Sequence, residues 1–164
     1  MKILHVISTL DVGGAEMHVL LQVRGQVARG HEVRVAYLLG GGALVADYEA
    51  AGAQWIGCVG RGPLALWRLR SHLGWSELVH SHLLRADFVT AAAAYLFGAR
   101  RRLISGKHHD ERALLRPLIP RLHGVVWRVP ARTIVLSDHV GRFVAEHGRF
   151  HLHRPAPVPS GAVP

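Results

Sequence analysis

The sequence contains one cysteine and no long apolar run, and both scarcities exclude classes of protein. A lone cysteine excludes an internal disulfide and fits a reducing compartment, and the apolar neighbours of Cys58 predict a small buried side chain. The longest apolar segment, residues 88–99, is too short to span a bilayer. Polar residues interrupt the apolar N-terminus, which argues against a secretory signal peptide. We therefore expect a cytoplasmic protein, and contact with the inner face of the membrane stays an open alternative.

Three catalytic motifs are also missing, which narrows the enzyme classes. Without Gly-x-Ser-x-Gly the sequence offers no nucleophile for a serine hydrolase, and without Gly-x-Gly-x-x-Gly a nicotinamide dehydrogenase is disfavoured. The metal-binding spacing His-Glu-x-x-His does not occur either. We therefore predict no metal. The alternative would be a metal site built from histidines two apart on one strand and the residues after the next strand, namely His80, His82, His108, His109 and Asp110.

Lysine is scarce although the chain is strongly basic. The net charge is +9, and among 20 basic residues Lys2 and Lys107 are the lysines. The arginines are scattered and no aromatic residues are interleaved to stack on bases, so we predict no nucleic-acid partner. An anionic substrate or an anionic membrane surface fits the charge equally well. One group of arginines has two interpretations, a solvated helix face or a basic face that contacts a membrane. Its members are Arg100, Arg101, Arg102, Arg112, Arg116 and Arg121.

Alternating strands and helices predict the fold. The length of 164 residues fits one domain with a proper core. Over residues 1–148 the alternation predicts an α/β fold, a doubly wound, mostly parallel sheet with helices on both faces. Residues 149–164 are rich in proline, and we expect a disordered tail there. After the first strand, the predicted strands are residues 31–39, 53–59, 77–82, 101–105 and 133–136.

Polar residues gather where the predicted strands end. The first strand runs into Gly13 and Gly14 and then into an amphipathic helix, and the unpaired N–H groups of a first helical turn bind anions. A tight turn alone also explains two adjacent glycines. Residues 80–82 and 107–111 are polar and follow two later strands. Ligands of an open parallel sheet bind off the carboxyl ends of its strands, so we expect a site formed by these three segments.

These segments resemble the N-terminal domain of glycosyltransferase family 4, whose members are retaining enzymes of the GT-B fold. The most specific part is the first strand and glycine turn, residues 1–16, followed at the family's distance by Gly-His-Glu-Val within residues 28–35. The resemblance covers roughly residues 1–148. It continues through residues 78–83 with Ala86 and Asp87, residues 103–110 and residues 134–138.

The resemblance implies transfer of a sugar from a nucleotide-sugar donor to a glycan, lipid or small-molecule acceptor, with retention of the anomeric configuration. It implies that Gly13 and Gly14 lie against the donor diphosphate and that His108 is the active-site histidine that contacts the donor sugar. His109 is the neighbouring alternative, because the doubled histidine leaves the register ambiguous by one. The remaining residues expected to bind the acceptor or line the cleft are His82, Lys107 and Asp110.

The sequence departs from the family at its C-terminal end. Family members continue into a second Rossmann-like domain that binds the nucleotide and carries paired glutamates, whereas residues 154–164 here are Pro-rich. We expect the acceptor-binding half of the enzyme, inactive alone and completed by a separate C-terminal domain chain or shortened from a longer protein. No cofactor beyond the nucleotide-sugar substrate is expected. The alternatives are a non-catalytic Rossmann-like ligand-binding module and, more weakly, a metal-dependent hydrolase.

Overall fold

The chain folds around a parallel sheet with helices on both faces. The computed structural model describes residues 1–108, 119, 126, 128–147 and 156–157. The strands are β1 (Lys2–Thr9), β2 (Glu32–Leu39), β3 (Trp55–Cys58), β4 (Leu78–His82), β5 (Leu103–Lys107), β6 (Arg132–Val135) and β7 (Ala156–Pro157). The α-helices are α1 (Gly14–Ala28), α2 (Val45–Ala50), α3 (Gly62–Trp75), α4 (Leu84–Leu96) and, after β6, α5 (Asp138–His147), and Arg100–Arg102 form a short 3-10 helix.

The strand order is β3-β2-β1-β4-β5-β6-β7, and every neighbouring pair is parallel. The chain builds outward from β1 to β3 and then returns to place β4 on the other side of β1. The order therefore reverses between β1 and β4, which is where a doubly wound sheet opens a ligand crevice. The predicted fold class is confirmed.

Alternation along the strands separates two cores. Leu4 and Val6 of β1 point to the face covered by α3 and α4, where Leu69 and Ala94 are fully buried. Ile3 and Ile7 point to the opposite face, which α1 and α2 cover with side chains that include Val19, Leu20 and Tyr48. Because successive side chains of a strand alternate between faces, the same rule places the polar residues of β4 and β5 on opposite faces.

A shifted strand and an exposed side chain are the clearest differences from the sequence predictions. The fifth strand was expected at 101–105, but Arg100–Arg102 form a 3-10 helix and β5 is Leu103–Lys107. Lys107 is therefore the last residue of a strand rather than part of the following loop. Cys58, expected to be buried, is exposed because β3 is an edge strand. In the predicted tail, Ala156–Pro157 pair with β6, and the rest of that segment lies outside the described residues.

Ser137 precedes α5 and caps its first turn, because its Oγ accepts a hydrogen bond from the Val140 N–H at 3.3 Å. Val140 packs with Phe143 and with Leu84 of α4. None of the helices in the described part of the chain has the length and hydropathy of a membrane span.

Candidate active site

The largest concentration of predicted site residues lies at the carboxyl edge, where β1 and β4 are neighbours. A cavity of about 400 Å³ opens there. Its walls come from the first turns of α1, from the residues after β4 and β5 and from the loop before α5. Four separate chain segments thus meet at the point where the strand order reverses. The lining residues are Gly14, Ala15, Glu16, His18, Leu83, His108 and Leu136.

The two glycines after β1 have different surroundings. Gly13 is extended, and a Cβ there would collide with the carboxylate of Glu16. Gly14 is exposed, and a Cβ there would meet nothing within 4 Å. Glu16 is 8 % exposed and its Oε1 accepts a hydrogen bond from Thr9 Oγ1 at 2.7 Å. Gly14, at the positive end of the α1 dipole, is therefore the more open of the two glycines.

A line of hydrogen-bonded rings runs from the cavity into the core on the α1 face. His108 Nε2 lies 2.8 Å from His82 Nδ1, and His82 Nε2 lies 2.8 Å from His5 Nδ1. His5 Nε2 then contacts Gln26 Oε1, also at 2.8 Å. His5 and His82 are fully buried, and His108 is half-buried at the cavity. We call Gln26, His5, His82 and His108 the histidine chain.

Burial keeps the inner histidines neutral at physiological pH. Removal from water lowers the pKa of His5 to about 4, against the opposing effect of its hydrogen bond to Gln26. Burial, and next the neighbouring histidines, hold the pKa of His80 and of His82 well below the usual value. Burial also lowers the pKa of His18. His5, His80 and His82 therefore form an uncharged polar group on this face of the sheet.

The same rings are the best candidate for a metal among the described residues. Ligand atoms of His5, His80 and His82 lie within 4.8 Å of one another. His80 Nε2 is buried without a hydrogen-bond partner, but both ring nitrogens of His5 and of His82 already have one. A metal ion would have to replace those hydrogen bonds, so the arrangement matches a hydrogen-bonded chain better than a preformed metal site.

The opposite face of β4 and β5 carries an ionic cluster. Lys107 Nζ donates to Asp87 Oδ2 at 2.5 Å, and the two side chains are 0 % and 4 % exposed. Ser81 and Ser105 donate to Asp87 Oδ1 at 2.5 and 2.9 Å. We call Asp87, Lys107, Ser81 and Ser105 the aspartate cluster. Lys107, expected to line the cleft, instead neutralises a buried carboxylate in the first turn of α4.

The backbone turns sharply where β4 meets the cavity. Leu83 has φ of 71°, the one non-glycine residue in the left-handed region among the described residues. This conformation is unfavourable for a residue with a branched side chain and is found where the surrounding structure enforces it. Leu83 lines the cavity, and its carbonyl accepts the Asp87 N–H at 3.0 Å. The turn thus joins the cavity wall to the aspartate cluster.

The structure brings some predicted site residues together and separates others. Gly14 and His108 share the cavity, whereas His82 lies beneath His108 and is fully buried. His109 and Asp110 lie outside the described residues. Sequence reasoning missed Glu16 and His18 as wall residues, although their positions in the first turns of the helix after the glycines are a usable signal. No signal in the sequence pointed to Gln26.

Comparison with known proteins identifies the family of the chain. A family model described as Glycosyltransferase Family 4 matches residues 12–162. The chain belongs to that family. A solved structure, MurG from Acinetobacter baumannii, is similar with a TM-score of 0.57 and 10% sequence identity. The match covers 84% of this chain and 42% of the MurG chain, and a search of curated proteins finds no match.

Membership of family 4 makes the chain a glycosyltransferase-like module, and the likeness to MurG shows the fold, a Rossmann-like half of a GT-B fold. The chain spans less than half the length of that MurG chain. The matched segment contains the glycine turn, the cavity and both β4 and β5. His5, the inner ring of the histidine chain, precedes the first matched residue.

Proposed function

We propose that this chain is the acceptor-binding half of a retaining glycosyltransferase. It takes part in transfer of a sugar from a nucleotide-sugar donor to a glycan, lipid or small-molecule acceptor. The cavity at the carboxyl edge receives the diphosphate and sugar of the donor on one side, with Gly14 and His108 as its contacts. The single observation that supports this assignment most is the open space at Gly14.

Glycine at position 14 has no explanation within the described residues. Its φ lies outside the left-handed region, and an added Cβ would contact nothing within 4 Å. Alanine there would also favour the first turn of α1, because glycine is a poor helix former. A phosphate that must approach the helix N–H groups closely does require the missing side chain. Gly14 therefore fits close contact with the donor diphosphate.

The other walls fit a sugar. Glu16 supplies a carboxylate and His18 and His108 supply imidazoles, groups that exchange hydrogen bonds with hydroxyls. His108 is the proposed catalytic histidine, and its place in the cavity wall supports a contact with the donor sugar. Leu83 and Leu136 give the cavity apolar surface against which a sugar ring or acceptor can pack.

The donor side of the reaction needs a second nucleotide-binding domain, so we propose negligible turnover by the 164-residue chain alone. No cofactor besides the nucleotide-sugar substrate is part of the proposal.

The cytoplasm, at the inner face of the membrane, is the proposed location. The ring of exposed Trp67 lies 5.4 Å from the Arg70 guanidinium, which also approaches the ring of Phe97. Arg100 approaches the ring of Tyr95 in the same way. Aromatic rings beside arginines suit contact with an anionic lipid surface.

Titration with inorganic pyrophosphate tests the diphosphate contact on the chain itself. We expect pyrophosphate to shift the backbone amide resonances of Gly14 and Ala15 in the wild-type protein. Gly14→Val should abolish these shifts with circular dichroism unchanged, because the new side chain blocks close approach. The matched control is Gly74→Val, at another exposed helical glycine with open space around it. Equal shifts in Gly14→Val and wild type would contradict the assignment.

The catalytic part is tested once the chain is combined with a nucleotide-binding domain. We expect sugar transfer with retained configuration, read from the anomeric proton of the product, and a lower turnover in His108→Ala with the fold intact. Robust turnover by the 164-residue chain alone would contradict the need for a second domain. Pyrophosphate binding at Gly14 without any transfer would favour the non-catalytic ligand-binding module.

A further inference from the structure

The histidine chain connects the cavity to a residue near the other end of α1. Gln26 follows Gly14 by twelve residues, about 18 Å along the helix axis. We propose that Gln26, acting through His5 and His82, fixes the tautomer of His108 so that His108 Nε2 always donates a hydrogen bond inward. The tautomer belongs to the free protein, and its use in sugar transfer rests on the proposed function.

The order of donors and acceptors follows from the amide oxygen. A neutral imidazole has one N–H donor and one acceptor nitrogen. Gln26 Oε1 can only accept, so the hydrogen of His5 is on Nε2 and its Nδ1 accepts from His82 Nε2. His82 Nδ1 is then an acceptor as well, and its partner, His108 Nε2, must donate. One amide oxygen therefore determines the tautomers of three rings.

Burial makes this order hard to disturb. His5 and His82 are fully buried, so a second hydrogen on either ring would place a charge in the core. His108 is half-buried at the cavity, and its Nδ1 is itself a buried atom. With the hydrogen on Nε2, Nδ1 is the acceptor nitrogen of the ring.

Packing fixes the ring positions in addition to the hydrogen bonds. A Cβ on Gly106 would lie 2.8 Å from His80 Nε2, 3.2 Å from His82 Nδ1 and 3.4 Å from His108 Nε2. The missing side chain of Gly106 is the space into which these rings fit. His80 packs on His82 with ring centroids 4.0 Å apart. In this arrangement Gln26, His5 and His82 are positioning residues for His108.

Ring nitrogen resonances report the tautomers directly. Long-range proton–nitrogen correlation spectra of the uniformly labelled chain at pH 9, assigned with single His→Asn variants, should show the Nε2–H tautomer at His5, His82 and His108. Gln26→Leu removes the acceptor, and the tautomer ratio at His108 should fall by about tenfold, the change that one net hydrogen bond supports. Gln26→Glu, whose carboxylate only accepts, should keep the wild-type tautomers.

Gln22→Leu is the matched control, since it makes the same change one turn earlier on α1 and should leave His108 as in the wild type. The Nδ1–H tautomer at His108 in the wild type, or an unchanged ratio in Gln26→Leu, would overturn the proposal. So would one equivalent of Zn²⁺ that shifts the ring resonances of His5, His80 and His82 together and is reversed by EDTA. Because no donor or acceptor sugar is added, failure here leaves the proposed transfer reaction standing.

Discussion

The two faces of β4 and β5 hold two polar networks that handle burial in opposite ways. The aspartate cluster buries a full positive and a full negative charge within 2.5 Å of each other and adds two serine hydroxyls. The histidine chain buries rings that stay neutral and pass hydrogen bonds in one direction. On one face, the buried charge of Asp87 is stabilised by the opposite charge of Lys107. On the other face, the buried rings of His5 and His82 carry no charge.

This difference predicts different vulnerabilities. An ionic pair fails when one partner is removed, because the other is left as an uncompensated buried charge. A neutral network is destabilised when its buried rings are protonated or when an added side chain displaces them. Acidification acts on several buried histidines at once, and the three substitutions that follow it run from the largest expected change in the free energy of unfolding to the smallest.

Acidification should destabilise the face that carries the histidine chain most. Well above pH 6.5, the ordinary pKa of histidine, His5 is neutral whether folded or unfolded. Below it the unfolded chain binds a proton that the folded ring, with a pKa of about 4, does not, so the free energy of unfolding falls. Between pH 6.5 and 5 the loss from His5 is about 2 kcal/mol. His80 and His82 act in the same direction.

Urea unfolding at pH 8 and pH 5 measures this loss. His5→Phe should show a shallower dependence of unfolding free energy on pH than the wild type, by at most about 1.4 kcal/mol per pH unit. Identical slopes in the two proteins would mean that His5 does not exclude the proton.

Removing the lysine should damage the opposite face. Lys107→Met leaves the Asp87 carboxylate buried beside two hydroxyls and no cation, which should lower the free energy of unfolding by about 3–5 kcal/mol. Lys2→Met is the control, because Lys2 is partly exposed, and should change stability by less than about 0.5 kcal/mol. Equal effects of the two substitutions in urea unfolding would show that the pair contributes nothing.

Filling the space beside the histidine chain should have a smaller effect. The Cβ of Gly106→Ala meets three ring nitrogens between 2.8 and 3.4 Å away, so the rings must shift, at about 1–3 kcal/mol. Gly74→Ala, in open space within α3, should instead stabilise by up to about 1 kcal/mol. Thermal unfolding of the two variants distinguishes them, and a stabilised Gly106→Ala would refute the tight fit.

The smallest change is expected from deleting one hydroxyl of the aspartate cluster. Ser105→Ala removes one hydrogen bond to Asp87, but Ser81 and Lys107 remain, so the expected loss is about 1 kcal/mol. The exposed Ser71→Ala provides the reference for a serine without such a partner. If Ser105→Ala equals or exceeds Lys107→Met in urea unfolding, hydrogen bonding rather than charge holds the cluster together.

Much of the fold was predictable because the periodic spacing of apolar residues reports directly on local structure. The order of strands and helices follows from such local patterns. The position of β5 did not, because three arginines in a row give no sign of a 3-10 helix. That two-residue difference decided whether Lys107 belongs to a loop or to the core.

The site was predictable at the level of segments and less so at the level of contacts. Gly14 and His108 line the same cavity, as expected because the carboxyl ends of parallel strands lie at one edge of the sheet. His5 lies in a central strand of the sheet and is fully buried there. Its bonds to His82 and Gln26 depend on how β1, β4 and α1 meet, which no local pattern encodes.

Register has a further consequence for how this stretch of the chain can evolve. His80 and His82 alternate with Ser81, while Ser105 and Lys107 alternate with Gly106. Loss or gain of one residue inside either strand would turn imidazoles toward Asp87 and point a lysine ammonium at the rings. Insertions and deletions should therefore be confined to the connecting segments, and the length of each five-residue strand should stay constant during evolution.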